Sequence, residues 1–293
     1  MTADDRMSAV YAAVPQDLTS PWEPGGSYRC DRQLLTDLIT IQVDAGSAQV
    51  SATGGLALAV DIWVATELRR AGLDADAVWP RATQPRAVSQ SLTRAAARFP
   101  YSKTEATRLV QEQTIERLLS DAGSSRSTIL GGYFQKEIDV VMAAHDRGLE
   151  LGVSTKSMSG SFGKNLGNRF EEAAGDLANI RRRYPLATFG YVYLATANVF
   201  EEPSSWERMK DMLRKLRSLS TSDESASYDA TCLIVVDWES GAVKLDEKSV
   251  PDDLSPDRFF DTMLRRLFAR SPVIEHAKAR ELWELSEPSA AEL

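Results

Sequence analysis

The sequence predicts an α/β protein in which helices flank a mixed central sheet and a mostly helical N-terminal region precedes it. Three observations support this. The chain has 293 residues, 43% of them hydrophobic, which is enough for a sizeable core. Its composition changes near residue 100. From residue 103 the elements read helix, three strands, helix, strand, helix, strand. We therefore predict a helical region at 1–100 and a core at 101–293.

Apolar residues at helical spacing predict the elements of the first region. Helices are expected over 31–44, over 55–71 and, more briefly, over 87–97. The helix over 55–71 carries two arginines in its last turn, and Gly72 is its stop signal. This region is expected to serve dimerisation or recognition of a target.

The core begins with an amphipathic helix predicted over 103–121. Four of its apolar residues are expected to face inward: Leu109, Ile115, Leu118 and Leu119. Strands, rich in β-branched and aromatic residues, are expected at 128–135, 138–144, 149–156, 187–195 and 228–238. Further helices are expected at 164–183, 205–218, 256–270 and 273–285.

The bulk composition excludes several classes of protein. A net charge of -8 excludes a uniformly basic nucleic-acid coat, although local basic patches remain compatible with it. With only two histidines, a histidine-rich metal site is poorly supported. Cys30 and Cys232 are interpreted as buried thiols in a reducing cytoplasm. The polar, acidic first residues predict no signal peptide, and no apolar run approaches the roughly 20 residues that span a bilayer.

One short stretch carries the candidate chemistry. Two apolar runs are joined at 146–148, which predicts a β-hairpin. Alternate residues of a strand share a face, so Ser154 and Lys156 lie together, and the hairpin brings Asp139 near them. A buried lysine beside a carboxylate needs either a partner or a function. The simpler alternative is a salt bridge between Asp139 and Lys156 at the edge of the sheet.

The order of elements, with this Asp and Lys, resembles the core of the PD-(D/E)xK nuclease superfamily, to which restriction endonucleases belong. The resemblance covers roughly 103–237. Two positions depart from the common motif: Ile138 stands where proline is frequent, and Ser154 stands where the second acid is expected. The sequence is similar to a variant with Ser-x-Lys, in which a glutamate of the following helix replaces that acid. Glu171 is the preferred candidate and Glu172 the second.

The resemblance implies hydrolysis of phosphodiester bonds with Mg²⁺. Asp139 and Glu171 or Glu172 would hold the metal, since Mg²⁺ takes oxygen ligands and keeps several waters. Lys156 would lower the pKa of the attacking water and offset developing negative charge. Ser154 would orient one metal-bound water. A glutamate of the helix over 103–121 is a further candidate for an outer ligand.

Contacts with DNA phosphates are expected at the loop and helix that follow the hairpin. The candidates are Lys164, Asn165, Asn168 and Arg169. Arg181, Arg182 and Arg183 form a second basic cluster. The alternative for the glycine-rich loop is a mobile linker.

The predicted function is a magnesium-dependent endonuclease of the restriction type, acting in the cytoplasm on double-stranded DNA. Because restriction enzymes that cut both strands of a palindrome are typically two-fold symmetric, we expect a homodimer. No membrane association is expected. The alternative is a catalytically degraded nuclease fold that serves as a DNA-binding or assembly protein.

Overall fold

The computed structural model describes residues 3–44, 54–218, 227–238 and 242–286. The helices in these ranges are α1 (Ala3–Tyr11), α2 (Arg32–Asp44), α3 (Gly55–Arg70), α4 (Gln90–Ala97), α5 (Glu105–Ala122), α6 (Phe162–Arg181), α7 (Pro203–Ser218), α8 (Pro256–Arg270) and α9 (Ala277–Glu284). The strands are β1 (Trp22–Glu23), β2 (Ser27–Tyr28), β3 (Val78–Trp79), β4 (Thr128–Leu130), β5 (Gln135–Glu137), β6 (Val140–Ala144), β7 (Gly148–Met158), β8 (Thr188–Thr196), β9 (Ala230–Asp237) and β10 (Lys244–Leu245).

A mixed sheet of six strands forms the centre of the protein, in the order β10-β9-β8-β7-β6-β3. β6 and β7 form the predicted antiparallel hairpin, and Gly148 makes its turn with a φ of 74° that favours glycine. β7, β8 and β9 are parallel. Parallel neighbours need crossover connections, which α6 and α7 supply. The prediction of an α/β protein with a mixed sheet is therefore confirmed.

Helices cover both faces of this sheet. α3 and α8 pack on one face, against apolar residues such as Val153 and Val192. α6 and α7 pack on the other, against residues such as Tyr191 and Val235. All nine residues of β8 are buried, as expected of a central parallel strand covered on both sides. Among the described residues, no helix is both long and apolar enough to cross a membrane.

The predicted boundary at residue 100 does not divide the structure. β3 pairs with β6, so residues 78–79 belong to the central sheet. α3 packs directly on β6 and β7 and takes the place that the sequence assigned to the helix over 103–121. The reason is that α3 is the more apolar helix and buries residues on several of its sides. β3 is too short for its periodicity to predict a strand.

The segment between β3 and β6 also differs from the prediction. α5 buries none of its residues, and Leu109 and Leu118, which were expected to face inward, are 48% and 54% exposed. The single strand expected over 128–135 is instead two short strands, β4 and β5, which pair with each other. Gly131 and Gly132 form the break between them. The third strand beside the β6–β7 hairpin is consequently β3.

Candidate active site

Asp139 lies where the hairpin ends. β6 begins one residue later, and the pairing of Val140 with Val153 places Asp139 opposite Ser154. β7 continues beyond this point, so the N–H of Thr155 has no partner on β6. The carboxylate of Asp139 fills that position, accepting a hydrogen bond from Thr155 N at 2.8 Å. The Asp139 carboxylate is therefore held against β7, just beyond the point where β6 stops pairing with it.

A second carboxylate, which the sequence did not predict, also contacts Thr155. It comes from α3, which packs on one face of the sheet. The Thr155 hydroxyl donates a hydrogen bond to Asp61 Oδ1. Asp61 lies on α3 and is the only charged residue between Gly55 and Thr66. A lone acid in an apolar helix is the signal that could have identified it, because an unpaired buried charge is costly. Thr155 thus joins two carboxylates from different elements.

The two carboxylates disfavour each other's ionisation. Burial raises the pKa of Asp61 well above its usual range, and the negative charge of Asp139 raises it further. Burial also raises the pKa of Asp139, although the positive charge of Lys156 partly offsets this. Shifts of this direction arise when acids are crowded together in a poorly solvated place. Groups so perturbed in one cluster mark a candidate functional site.

Lys156 lies within electrostatic reach of both acids but bonds to neither. Its charge lowers the pKa of Asp61 and of Asp139. Across the described residues, however, no carboxylate oxygen lies within 4.0 Å of its ammonium. The edge salt bridge with Asp139, which was the simpler alternative, is therefore not formed. The side chain is only partly buried, so the ammonium is accessible to a ligand.

Ser154 is held on the α6 side of the sheet. Its hydroxyl hydrogen-bonds to the hydroxyl of Tyr228, and Tyr228 in turn donates to the carbonyl oxygen of Ala173 at 3.0 Å. Burial raises the pKa of Tyr228. Ser154 therefore belongs to a hydrogen-bond chain that connects β7 to α6, in addition to its place opposite Asp139.

The two glutamates of α6 differ in position. Glu171 is exposed. Glu172 is half-buried, and its Oε1 lies 3.9 Å from Lys136 Nζ, which also binds Asp176 at 2.6 Å. Since Lys136 lowers the pKa of Asp139, Glu172 is the glutamate that α6 turns toward the site. Phe170 and Ala173 set the buried face of the helix and so place Glu172, but the preference for Glu171 as the metal ligand stays a prediction.

The candidate DNA contacts lie on the first turns of α6. Lys164, Asn168 and Arg169 are exposed and Asn165 is half-buried. Arg169 is paired with Glu172 at 3.1 Å. The N–H of Gly163 donates to Glu202 at 3.1 Å, so a carboxylate already binds at the N-terminus of the helix. That acid reduces the attraction of the helix end for a phosphate.

The site fits a metal held by few protein ligands. Within the described ranges, no group of three or more His, Cys, Asp and Glu side chains is placed to hold a metal ion. Asp61 and Asp139 supply carboxylate oxygens, and one or two carboxylates with substrate phosphates suffice for Mg²⁺. Cavities of about 560 Å³ and 850 Å³ lie elsewhere, and neither Asp139 nor Lys156 lines them.

A scan against models of protein families, a search of curated proteins and a search of solved structures each found no match. The function must therefore be argued from the geometry of the site.

Proposed function

We propose that the protein is a magnesium-dependent endonuclease that hydrolyses phosphodiester bonds of double-stranded DNA. One observation carries the proposal: two crowded carboxylates, Asp61 and Asp139, are joined by Thr155 beside a lysine that lacks a bonded acid. Burial raises the pKa of both acids, although Thr155 and Lys156 partly offset the shift. A divalent cation would relieve the repulsion between them.

In this proposal the metal binds to Asp139 and Asp61. Magnesium would supply stabilisation of charge on the phosphate and activation of a water. Thr155 orients both carboxylates, through its N–H to Asp139 and its hydroxyl to Asp61. Glu172 would not contact the metal itself. It would position Lys136, whose charge acts on Asp139. Such outer contacts fix the orientation of the ligands.

Lys156 would contact the scissile phosphate. Its ammonium has no carboxylate within 4.0 Å among the residues described, so binding a phosphate breaks no ion pair. A cation at that place stabilises negative charge as it develops on the phosphate and lowers the pKa of an adjacent water. The superfamily resemblance supports the same role.

A second candidate function is a nuclease fold that has lost catalysis and retains DNA binding or assembly. The observation that favours it is Ser154, which replaces the expected acid and bonds to Tyr228. The two functions differ in metal binding. Titration calorimetry with Mg²⁺ should show a site that Asp139→Asn weakens if the enzyme is active. A degraded protein should show no such difference.

Restriction activity and a homodimer remain parts of this proposal. The protein should be incubated with diverse duplex DNA and Mg²⁺, and any new ends should be sequenced. Asp139→Asn is the matched control, because it keeps the shape of the side chain and removes its charge. Ends of one defined sequence context, absent with the control, support a restriction enzyme. If wild type and control give the same ends, the activity is a contaminant and the proposal fails.

A further inference from the structure

The hairpin of β4 and β5 presents apolar side chains to solvent. At its turn Tyr133 is 69% exposed and Phe134 is 53% exposed, and Leu130 beside them is 45% exposed. Aromatic side chains gathered at an exposed turn are a common mark of an interaction surface. β5 leads directly into Asp139, so this turn is connected to the candidate active site.

The turn is held firmly on α6. Asn179, which is buried, accepts from Tyr133 N at 2.9 Å and donates to the Phe134 carbonyl oxygen at 3.0 Å. Gly132 N donates to the Asn179 carbonyl oxygen at 2.7 Å. A Cβ at Gly131 would lie 2.4 Å from the Asn179 amide, so only glycine fits there. The backbone that carries the exposed rings is therefore held in place before any partner binds, which lowers the entropic cost of binding.

The same surface is positively charged in an acidic protein. The guanidinium of Arg182 lies over the Tyr133 ring, 5.0 Å from its centre. Arg183 is exposed beside it. Most arginines described here pair with a carboxylate or a backbone carbonyl, whereas no carboxylate of the described residues lies within 4.0 Å of Arg182 or Arg183. Arginines without a carboxylate partner beside exposed aromatic rings are complementary to the phosphates and bases of a nucleic acid.

Two measures place this surface close to the site. Five residues separate Phe134 from Asp139, which spans at most about 17 Å at 3.3 Å per residue. Arg182, which follows the last residue of α6, is six positions beyond Asp176, or about 9 Å along the helix axis. Because a duplex rises about 3.4 Å per base pair, the surface lies within roughly five base pairs of a phosphate bound at Asp139.

We infer that the hairpin surface, consisting of Leu130, Tyr133, Phe134, Arg182 and Arg183, binds the duplex beside the bond to be cut. The arginines contact phosphates, and the aromatic rings pack against sugars or exposed base edges. This inference rests on the proposed function for its choice of ligand. The inference adds to that function the element that would hold the DNA in place, namely the hairpin of β4 and β5.

The test measures binding to a pool of random-sequence duplexes with Ca²⁺ in place of Mg²⁺. The double variant Tyr133→Ser/Phe134→Ser should bind roughly tenfold more weakly, a loss of about 1.4 kcal/mol, because it removes both exposed rings. The matched control is Phe99→Ser/Tyr101→Ser, which removes another exposed aromatic pair, 36% and 38% exposed. The control should bind like wild type.

Two further variants keep the test decisive if the double variant is unstable. Arg182→Ala should reduce the slope of log affinity against log salt by about one. A photoreactive benzoylphenylalanine in place of Tyr133 should crosslink to the duplex. Wild-type binding by the double variant, or no binding of DNA by wild type, would overturn the inference. So would unchanged DNA binding with altered self-association, which would identify the hairpin surface as a protein interface.

Failure of this inference can be distinguished from failure of the proposed function. If the hairpin variants lose DNA binding but wild type never cleaves with Mg²⁺, the surface stands and the nuclease does not. If wild type cleaves and the hairpin variants bind and cleave equally well, the nuclease stands and the surface does not.

Discussion

The two ends of β7 place acids in opposite electrostatic environments. Near its start, Glu150 is bonded to Arg147 at 2.9 Å and to His276 at 3.2 Å. Near its end, Asp139 and Asp61 share Thr155, and no cation contacts them among the described residues. All three acids are wholly or largely buried. One end therefore carries an acid paired with cationic and imidazole groups, and the other carries crowded charge.

The direction of the pKa shifts separates the two ends. At Glu150 burial alone would raise the pKa, but the hydrogen bonds from His276 and Arg147 outweigh it and lower the pKa. At Asp61 burial and the neighbouring Asp139 both raise the pKa. Partners that stabilise an ionised acid in the folded protein lower its pKa. A buried acid whose pKa is raised destabilises the fold when it ionises, and such acids are common at functional sites. The comparison predicts opposite consequences of mutation at the two ends.

The largest effect is expected at Lys156. Lys156→Ala should reduce cleavage about a hundredfold or more, because one donor aimed at developing charge contributes about that much. Folding and DNA binding should remain near wild type, since the ammonium holds no ion pair in the described structure. Single-turnover kinetics would measure this, with Lys248→Ala as the control. Equal rates for wild type and Lys156→Ala would remove Lys156 from the site.

The next effect distinguishes the two glutamates of α6. Glu172→Gln should lower activity or metal affinity about 10–100-fold, the usual cost of losing an outer contact of a metal site. Glu171→Gln should change neither, because Glu171 is exposed. Cleavage rates over a range of Mg²⁺ concentrations would measure both. The reverse order would show that α6 presents Glu171 to the substrate, as the superfamily variant implies.

At the paired end, where Arg147 and His276 bind Glu150, Glu150→Gln should destabilise the fold by about 2 kcal/mol, the value of a hydrogen bond to a charged group. Because the folded pKa of Glu150 is lowered, its contribution is present above the unfolded value of about 4.3 and is lost as pH falls below it. Urea unfolding at several pH values would measure the difference between wild type and variant. A difference that stays constant from neutral pH to pH 3 would contradict the assignment.

At the crowded end, Asp61→Asn should stabilise the fold at neutral pH, because burial and the negative charge of Asp139 both disfavour an ionised Asp61. The amide oxygen still accepts from Thr155. Since the folded pKa of Asp61 is raised, its ionisation destabilises the protein as pH rises above about 4. The gain should therefore vanish below pH 4, and cleavage should fall at neutral pH. A loss of stability at neutral pH would show that Asp61 is structural.

The smallest effect is expected at Ser154. Ser154→Ala removes one hydrogen bond, worth roughly 0.5–1.5 kcal/mol, or about tenfold in rate at most. Because that bond is with Tyr228, part of the loss should appear as stability rather than activity. Unfolding and cleavage would be measured on the same preparation. A loss of cleavage as complete as that of Asp139→Asn would make Ser154 essential and would refute a site without an acid at this position.

Several elements were predictable because their signals are local. The helices at 32–44 and 55–70 and the β6–β7 hairpin follow from apolar spacing and from the turn at Gly148. The hairpin brings Asp139 opposite Ser154 only because its register shifts by one residue between Met142 and Ala143, whereas alternation counted from the turn would place Asp139 opposite Val153. The sequence predicted that α5 is a helix but not that its apolar residues are exposed. Helical spacing alone does not show whether an apolar face packs against the core or faces solvent.

By itself, the sequence determined strands β6 to β9, helices α6, α7 and α8, and the hairpin of β6 and β7 that brings Asp139 near Ser154 and Lys156. Tertiary structure alone decided that α3 covers the sheet, that the two-residue β3 completes the hairpin's edge, and that Asp61 meets Thr155. Hairpin contacts depend on a few neighbouring residues. The contact of Asp61 with Thr155 joins positions 94 residues apart, and competition among all apolar surfaces for the same core selects such pairs. No local periodicity records that competition.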